Sequence, residues 1–166
     1  DTSANYIIQN DKNMVSQGQY FNPLTSLYLF PRGEDFSDVA VYERYDDLSG
    51  VNTQYWPYGD LGGVSSQNPY WIMNRMNREN DRRRYKLAAS LQYNIIEGLN
   101  VQGRVSIDNT ESKYTEKFHA GTVGNFAGPK GRYKEENRLD RQVYADVLAN
   151  FNKTFNEFNV TANLGA

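Results

Sequence analysis

The chain has 166 residues, a formal net charge of −2, one histidine and no cysteine. The length suffices for one domain with a core, the charge argues against a nucleic-acid partner, which requires a basic face, and the lack of thiols excludes a disulfide framework or thiolate metal site. Mean hydropathy is −0.78 and no run approaches the roughly 20 apolar residues of a membrane helix, which leaves open a barrel whose lipid-facing residues are only every second one.

Residues 1–9 alternate loosely, with Ala4, Tyr6 and Ile8 on one side and Ser3, Asn5 and Gln9 on the other, Ile7 being an exception. A period of two places successive side chains on opposite faces of a strand. The chain opens at Asp1 and closes at Ala166 inside such patterns, so it reads as a piece of a longer protein. Residues 10–83 are a long connection carrying Pro23, Pro31, Pro57 and Pro69 among many Gly, Asn, Asp and Ser residues. That composition breaks helices and central strands. The connection is also rich in rings, including Tyr20, Phe21, Tyr28, Phe30, Tyr42, Tyr55, Trp56, Tyr58, Tyr70 and Trp71. A disordered linker lacks these, so the loop is expected to fold on itself or on neighbouring loops. Asp35–Tyr45 is compatible with a short helix or with turns.

The clearest signal is a hairpin. Over residues 84–96 the odd positions read Tyr85, Leu87, Ala89, Leu91, Tyr93, Ile95 and the even ones Lys86, Ala88, Ser90, Gln92, Asn94. After Glu97-Gly98, residues 99–113 continue with Leu99, Val101, Gly103, Val105, Ile107 against Asn100, Gln102, Arg104, Ser106, Asp108. Each strand alternates over about ten residues, longer than the usual five or six and enough for a tilted strand to cross a bilayer. A second long connection, 114–137, holds Gly121, Gly124, Gly128 and Gly131. A third strand over 138–152 sets Leu139, Val143, Ala145, Val147, Ala149 and Phe151, interrupted by Arg141, against Asp140, Gln142, Tyr144, Asp146, Leu148 and Asn150. A short turn over 153–157 leads to a last strand over 158–166, with Phe158, Val160, Ala162 and Leu164 on one side.

The fold class expected is therefore all-β, with antiparallel up-and-down strands. Connections alternate long and short, as in outer-membrane barrels with long external loops and short periplasmic turns. Tyr85, Leu87, Leu91, Tyr93, Val101 and Val105 form the expected lipid-facing set. Tyr85 and Tyr93 stand roughly 20 Å apart along the membrane normal, close to the apolar band of about 25 Å between two aromatic girdles. Arg104, Asp108, Asp140 and Asp146 form the expected lumen-facing set, with a second reading in which they pair with one another across neighbouring strands.

Asn22-Pro23-Leu24-Thr25, Leu27-Tyr28-Leu29-Phe30-Pro31-Arg32-Gly33, Tyr42-Glu43, Gln54-Tyr55-Trp56, Asn68-Pro69-Tyr70-Trp71, Asn80-Asp81-Arg82 and Glu136-Asn137 occur in this order. Their order and spacing, over nearly the whole chain, resemble the SusC/RagA family of TonB-dependent outer-membrane transporters of Bacteroidetes-type bacteria. The resemblance implies a segment from the middle of a transmembrane barrel of about 22 strands with a plugged lumen, the plug and the barrel ends lying outside this chain. It implies a SusD-like surface lipoprotein as lid, energy from TonB, ExbB and ExbD acting through the plug, and import of oligosaccharides or peptides across the outer membrane.

Several candidate sites follow. Tyr55, Trp56, Tyr58, Tyr70 and Trp71 either stack on sugar rings or a lid protein, or pack the loop's own core. Arg75, Arg78, Arg82, Arg83 and Arg84 suit lipopolysaccharide phosphates, or are a solvated face balanced by Glu79 and Asp81. No catalytic constellation is present: the lone His119 has no evident partner, and Lys130 is not followed by Ser or Thr as a phosphate loop requires. The protein is expected not to be an enzyme and to need no cofactor. No metal site is expected: Asp35, Asp38, Asp46, Asp47 and Asp60 offer oxygens but lack EF-hand spacing. The competing function is a soluble β-sandwich that binds carbohydrate through aromatic loops; it would have to bury the apolar strand face within this chain.

Overall fold

The structure is a computed structural model describing residues 1–14, 20–58 and 67–166. Asp60 and parts of the first long connection lie outside the described residues. Elements run in the order β1 (Thr2–Lys12), α1 (Pro23–Tyr28), a short 3-10 helix (Phe36–Ala40), β2 (Glu43–Asp46), β3 (Val51–Gln54), α2 (Pro69–Arg75), β4 (Met76–Ile96), β5 (Leu99–Phe118), β6 (Arg132–Phe155) and β7 (Phe158–Gly165). The architecture is mostly antiparallel β: a five-stranded sheet in the order β1-β4-β5-β6-β7 and a two-stranded sheet β2-β3. The chain divides into two compact units, one of residues 1–9, 82–112 and 138–166 and one of residues 10–81 and 113–137.

The first unit is sheet throughout. Asp1 and Ser90 exchange backbone hydrogen bonds at 2.8 Å in both directions, which sets the antiparallel register of β1 on β4. That register places Ala4 opposite Leu87 and Tyr6 opposite Tyr85, so the apolar sets of the two strands share a face. Between β6 and β7, Phe151 lies opposite Ala162, Ala149 opposite Leu164 and Phe155 opposite Phe158, while Asn150 faces Asn163 and Asn152 faces Thr161. In these two strand pairs alternation thus separates a mainly apolar face from a mainly polar one, with Ile7 and Leu148 on the polar side and Arg141 on the apolar side as exceptions. Leu87, Leu91, Tyr93, Val105, Leu139, Val143, Val147, Phe158 and Leu164 are all exposed, Leu91 at 75%. Tyr85 and Val101 on the same face are half-buried.

The strands exceed the alternating stretches. β4 begins at Met76 rather than near residue 84, β5 continues to Phe118 and β6 runs from Arg132 to Phe155. Toward the long connections the apolar period fades and cross-strand ion pairs appear, while Phe155 at the other end still lies opposite Phe158. Lys117 reaches Glu79 at 3.2 Å, Lys113 reaches Glu135 at 3.2 Å and Arg132 reaches Glu116 at 3.1 Å. Backbone pairing continues where the apolar/polar code no longer reports it.

The second unit holds the buried hydrophobic residues. Trp71, Ile72, Met76, Phe118 and Ala127 form its core, with Phe21, Tyr42 and Phe126 packed against them. Glycine is required at two places by geometry. Gly121 (φ +82) lies where a Cβ would come within 2.2 Å of the Asn52 carbonyl oxygen. Gly98, in the turn between β4 and β5, has φ +85, and a Cβ there would meet the Asn152 carbonyl oxygen at 2.5 Å. The Asn152 N–H also donates to the Gly98 carbonyl at 2.7 Å, so the turn is fixed from the neighbouring strand.

Gly98→Ala should therefore lower stability to chemical denaturation by about 1–3 kcal/mol through strain and steric conflict. Gly103→Ala, where nothing lies within 4 Å of the added carbon, should be neutral or slightly stabilising; equal losses at both positions would contradict the turn assignment.

Candidate functional site

Two Asn-Pro pairs start the two α-helices. Asn22 caps α1 by accepting from the Leu24 N–H at 3.0 Å, with Pro23 in the first helical turn. Asn68 caps α2 by accepting from the Tyr70 N–H at 2.8 Å, with Pro69 following. The residue type is set by an oxygen that can satisfy an orphan helix N–H, and by a proline whose missing N–H costs nothing there. Asn68 does more. It is 1% exposed, its Nδ2 donates to the carbonyls of Val39 at 2.9 Å and Tyr55 at 3.1 Å, and its N–H donates to Gln54 Oε1 at 2.6 Å. One carboxamide therefore ties α2 to the 3-10 helix and to the segment after β3.

The ring residues singled out in the sequence divide by role. Trp71 is a core residue, and its indole N–H donates to Thr122 Oγ1 at 3.3 Å. Trp56 is buried and packs with Phe30 and Tyr58, ring centroids 6.5 and 5.4 Å away. Tyr55 has the Arg44 guanidinium 3.4 Å over its ring. Tyr70 stacks on Tyr42 at 6.3 Å. Trp56 and Trp71 are thus packing residues of the loop unit, and Tyr55, Tyr58 and Tyr70 are half-buried. The open rings lie elsewhere: Tyr28 is 86% exposed and Tyr45 65%. Nothing in the sequence separates these from the buried rings, because an irregular segment has no periodicity to mark its inner side.

The arginine cluster also divides. Arg75 binds Glu43 through two parallel hydrogen bonds, Nε to Oε2 at 2.7 Å and Nη2 to Oε1 at 2.8 Å. This fork holds the Glu43 carboxyl below the usual carboxylate range. Arg78 lies 4.8 Å over the Phe21 ring and donates to the Met14 carbonyl at 2.9 Å. Both residues are structural ties within the loop unit. Arg82, Arg83 and Arg84 are exposed on β4, where consecutive side chains point to opposite faces.

On the polar face of the sheet, Arg84 Nε donates to Asp108 Oδ1 at 2.8 Å and Arg104 Nε to Asp146 Oδ1 at 2.9 Å. The Tyr144 hydroxyl donates to Asp146 at 2.6 Å. Asp140 pairs with Arg138, two residues away on its own strand, at 2.8 Å. All four residues of the expected lumen-facing set are engaged in ion pairs, two of these pairs linking neighbouring strands. Among the described residues no cluster of three or more His, Cys, Asp or Glu suits a metal ion. No family model matches the sequence and no curated protein matches it.

Asn68→Ala should destabilise the loop unit by about 2–3 kcal/mol, combining a lost cap with buried carbonyls left unsatisfied. Asn22→Ala, which loses one half-exposed bond, should cost about 1 kcal/mol or less. Hydrogen exchange of residues 36–58 and 68–76 measures both, and equal effects would remove Asn68 from its central position.

The Glu43–Arg75 fork also predicts a pH response. A carboxyl whose pKa is lower in the folded state contributes stability above its unfolded value, about 4.3, and loses it as pH falls through the folded one. Protection of the loop unit should decay on acidification below about pH 4, and Glu43→Gln should flatten that component. An unchanged acid profile in Glu43→Gln would mean the fork contributes nothing.

Proposed function

We propose that this chain is a segment of a SusC/RagA-like, TonB-dependent transporter of the bacterial outer membrane. Its five-stranded sheet is part of the wall of a large barrel, with the apolar face against lipid and the polar face toward the lumen. The long connections are extracellular loops that meet substrate and a SusD-like lipoprotein. Oligosaccharides or peptides are imported with energy passed from TonB, ExbB and ExbD through a plug outside this chain. The reading includes no catalytic step, cofactor or metal.

The observation that carries this reading is the uncovered apolar face. Exposed Leu, Val, Tyr and Phe side chains run across all five strands, while every buried hydrophobic among the described residues belongs to the loop unit. A contiguous apolar surface of this extent calls for a partner phase. A barrel wall supplies one, because its outward residues are solvated by acyl chains and its backbone groups are satisfied between strands. The paired charges of the opposite face suit a wetted lumen. The carbohydrate-binding sandwich is less favoured, since the side chains it would have to bury are exposed.

Leu91→Arg, at the middle of the apolar face, should destabilise the full-length protein in the membrane by about 2–4 kcal/mol. Gln92→Arg, one residue on and pointing the other way, should cost well under half as much. Unfolding from lipid vesicles measures both, and equal penalties would end the assignment of faces.

A further inference from the structure

The apolar face of the sheet carries one polar break. Arg141 of β6 has the parity of Leu139 and Val143, and its Nε donates to Asn109 Oδ1 of β5 at 3.1 Å. The two stand opposite each other, in the register that also sets the Asn152 N–H on the Gly98 carbonyl and Arg104 against Asp146. Asn109 is 1% exposed, and its Nδ2 is buried without an acceptor. Turning the amide over gives no relief, because two donors would then meet. A buried donor that lacks an acceptor is costly. The same end of this face carries Arg83 on β4 and Glu111 on β5, both exposed like Arg141. Among the described residues none of these three is in an ion pair, and two guanidiniums against one carboxylate leave a net positive charge.

Toward the Gly98 turn the face has a depression of about 340 Å³, whose walls include Thr2, Ala4, Leu87, Ala89, Val105 and Ile107. Short side chains make it: Thr2, Ala4 and Ala89 lie among the longer Tyr6, Leu87 and Leu91. Same-face residues repeat at about 6.8 Å along a strand, so the depression starts one step from Asn109 and reaches Val105 about 13 Å away. An unmet donor and a surplus cation therefore stand at the head of an apolar trough.

We infer that this is a site for one anionic membrane lipid, its phosphate on the Arg141–Asn109 pair and an acyl chain in the depression. The two halves select the class together. The Arg141 guanidinium suits phosphate oxygens, and Asn109 adds the donor that lacks an acceptor. A soluble phosphate would leave the trough unfilled, and a lipid without net charge would leave the cation unmatched. The rest of the apolar face, with no such polar group beside it, takes any acyl chain. The inference rests on the proposed reading, in which this face meets a bilayer, and adds to it a lipid held at a fixed place.

The test is native mass spectrometry of the full-length protein released from detergent with defined lipids. From an equimolar mixture, dioleoylphosphatidylglycerol should be retained about tenfold over dioleoylphosphatidylcholine, whose own cation opposes Arg141. Arg141→Gln should abolish that preference. Arg141→Lys should keep part of it, since the charge remains while the planar fork is lost. Ala89→Leu, which fills the trough, should lower retention of phosphatidylglycerol severalfold, and Arg82→Gln on the polar face should change nothing. Excess glycerol phosphate should not displace the lipid. Equal retention of the two lipids, an undiminished preference in Arg141→Gln, or full retention in Ala89→Leu would overturn the inference, as would displacement by glycerol phosphate, which marks a site for free phosphate. Failure of the transporter reading registers separately, as equal penalties for the Leu91 and Gln92 variants in vesicles.

Discussion

The loop unit depends on the buried carboxamide of Asn68. Its side chain and N–H reach α2, the 3-10 helix and the segment around β3 with four hydrogen bonds. A connection of this length carries a large ordering entropy, of order 1–2 kcal/mol per residue for the backbone alone. Only a core can offset that, and the core here is assembled around Trp71, whose helix Asn68 starts. Asn is suited to the position because it combines two donors with an acceptor on one short arm. Asp would lack the donors to the Val39 and Tyr55 carbonyls, and Ser would be too short to reach both segments.

The sheet is ruled by a different constraint, the two-residue period. It assigns each side chain to one of two environments, and no position can serve both. The registers between β1 and β4 and between β6 and β7 keep apolar residues together on one side. On the other side the acids and arginines meet directly, Arg84 with Asp108 and Arg104 with Asp146. Exposed pairs of this kind contribute little stability. Their larger effect is on register, since a slip by one residue would carry each charge to the apolar side. The cross-strand ion pairs beyond the alternating stretch, such as Lys113 with Glu135, hold together strand ends that have no apolar face to align them.

Much of this was legible in the sequence. The five alternating stretches and the turn at Gly98 follow from periodicity and turn chemistry, whereas the second turn, expected over residues 153–157, is confined to the two residues between Phe155 and Phe158. The strand ends did not, because from Met76 to Arg83 and from Arg132 to Asn137 both faces are polar and alternation carries no contrast. The role of each ring in the long connection was equally hidden. Trp71 and Tyr28 are both aromatic residues of short helices introduced by Asn-Pro, yet one is 1% and the other 86% exposed. Which side of a short helix turns inward is decided by tertiary contacts that local pattern does not encode. The arginines were read as one cluster by proximity in sequence, whereas β4 parity divides three of them and tertiary contacts claim Arg75 and Arg78.

That division shows how one strand can hold two chemistries within a few residues. From Arg82 to Leu87 the order is Arg, Arg, Arg, Tyr, Lys, Leu, a run that composition alone would score as a basic patch. Folded, it becomes a cation above a tyrosine and a leucine on one face, and on the other Arg82 beside Arg84 and Lys86, which share the Asp108 carboxylate. In the proposed barrel the first arrangement matches the boundary between acyl chains and headgroups, where amphipathic rings and long cationic side chains are favoured. In the same reading the second faces a wetted lumen, where charged side chains remain solvated. Asp108 binds Arg84 and also faces the charge of Lys86, so one carboxylate offsets this cationic row at two of its three positions.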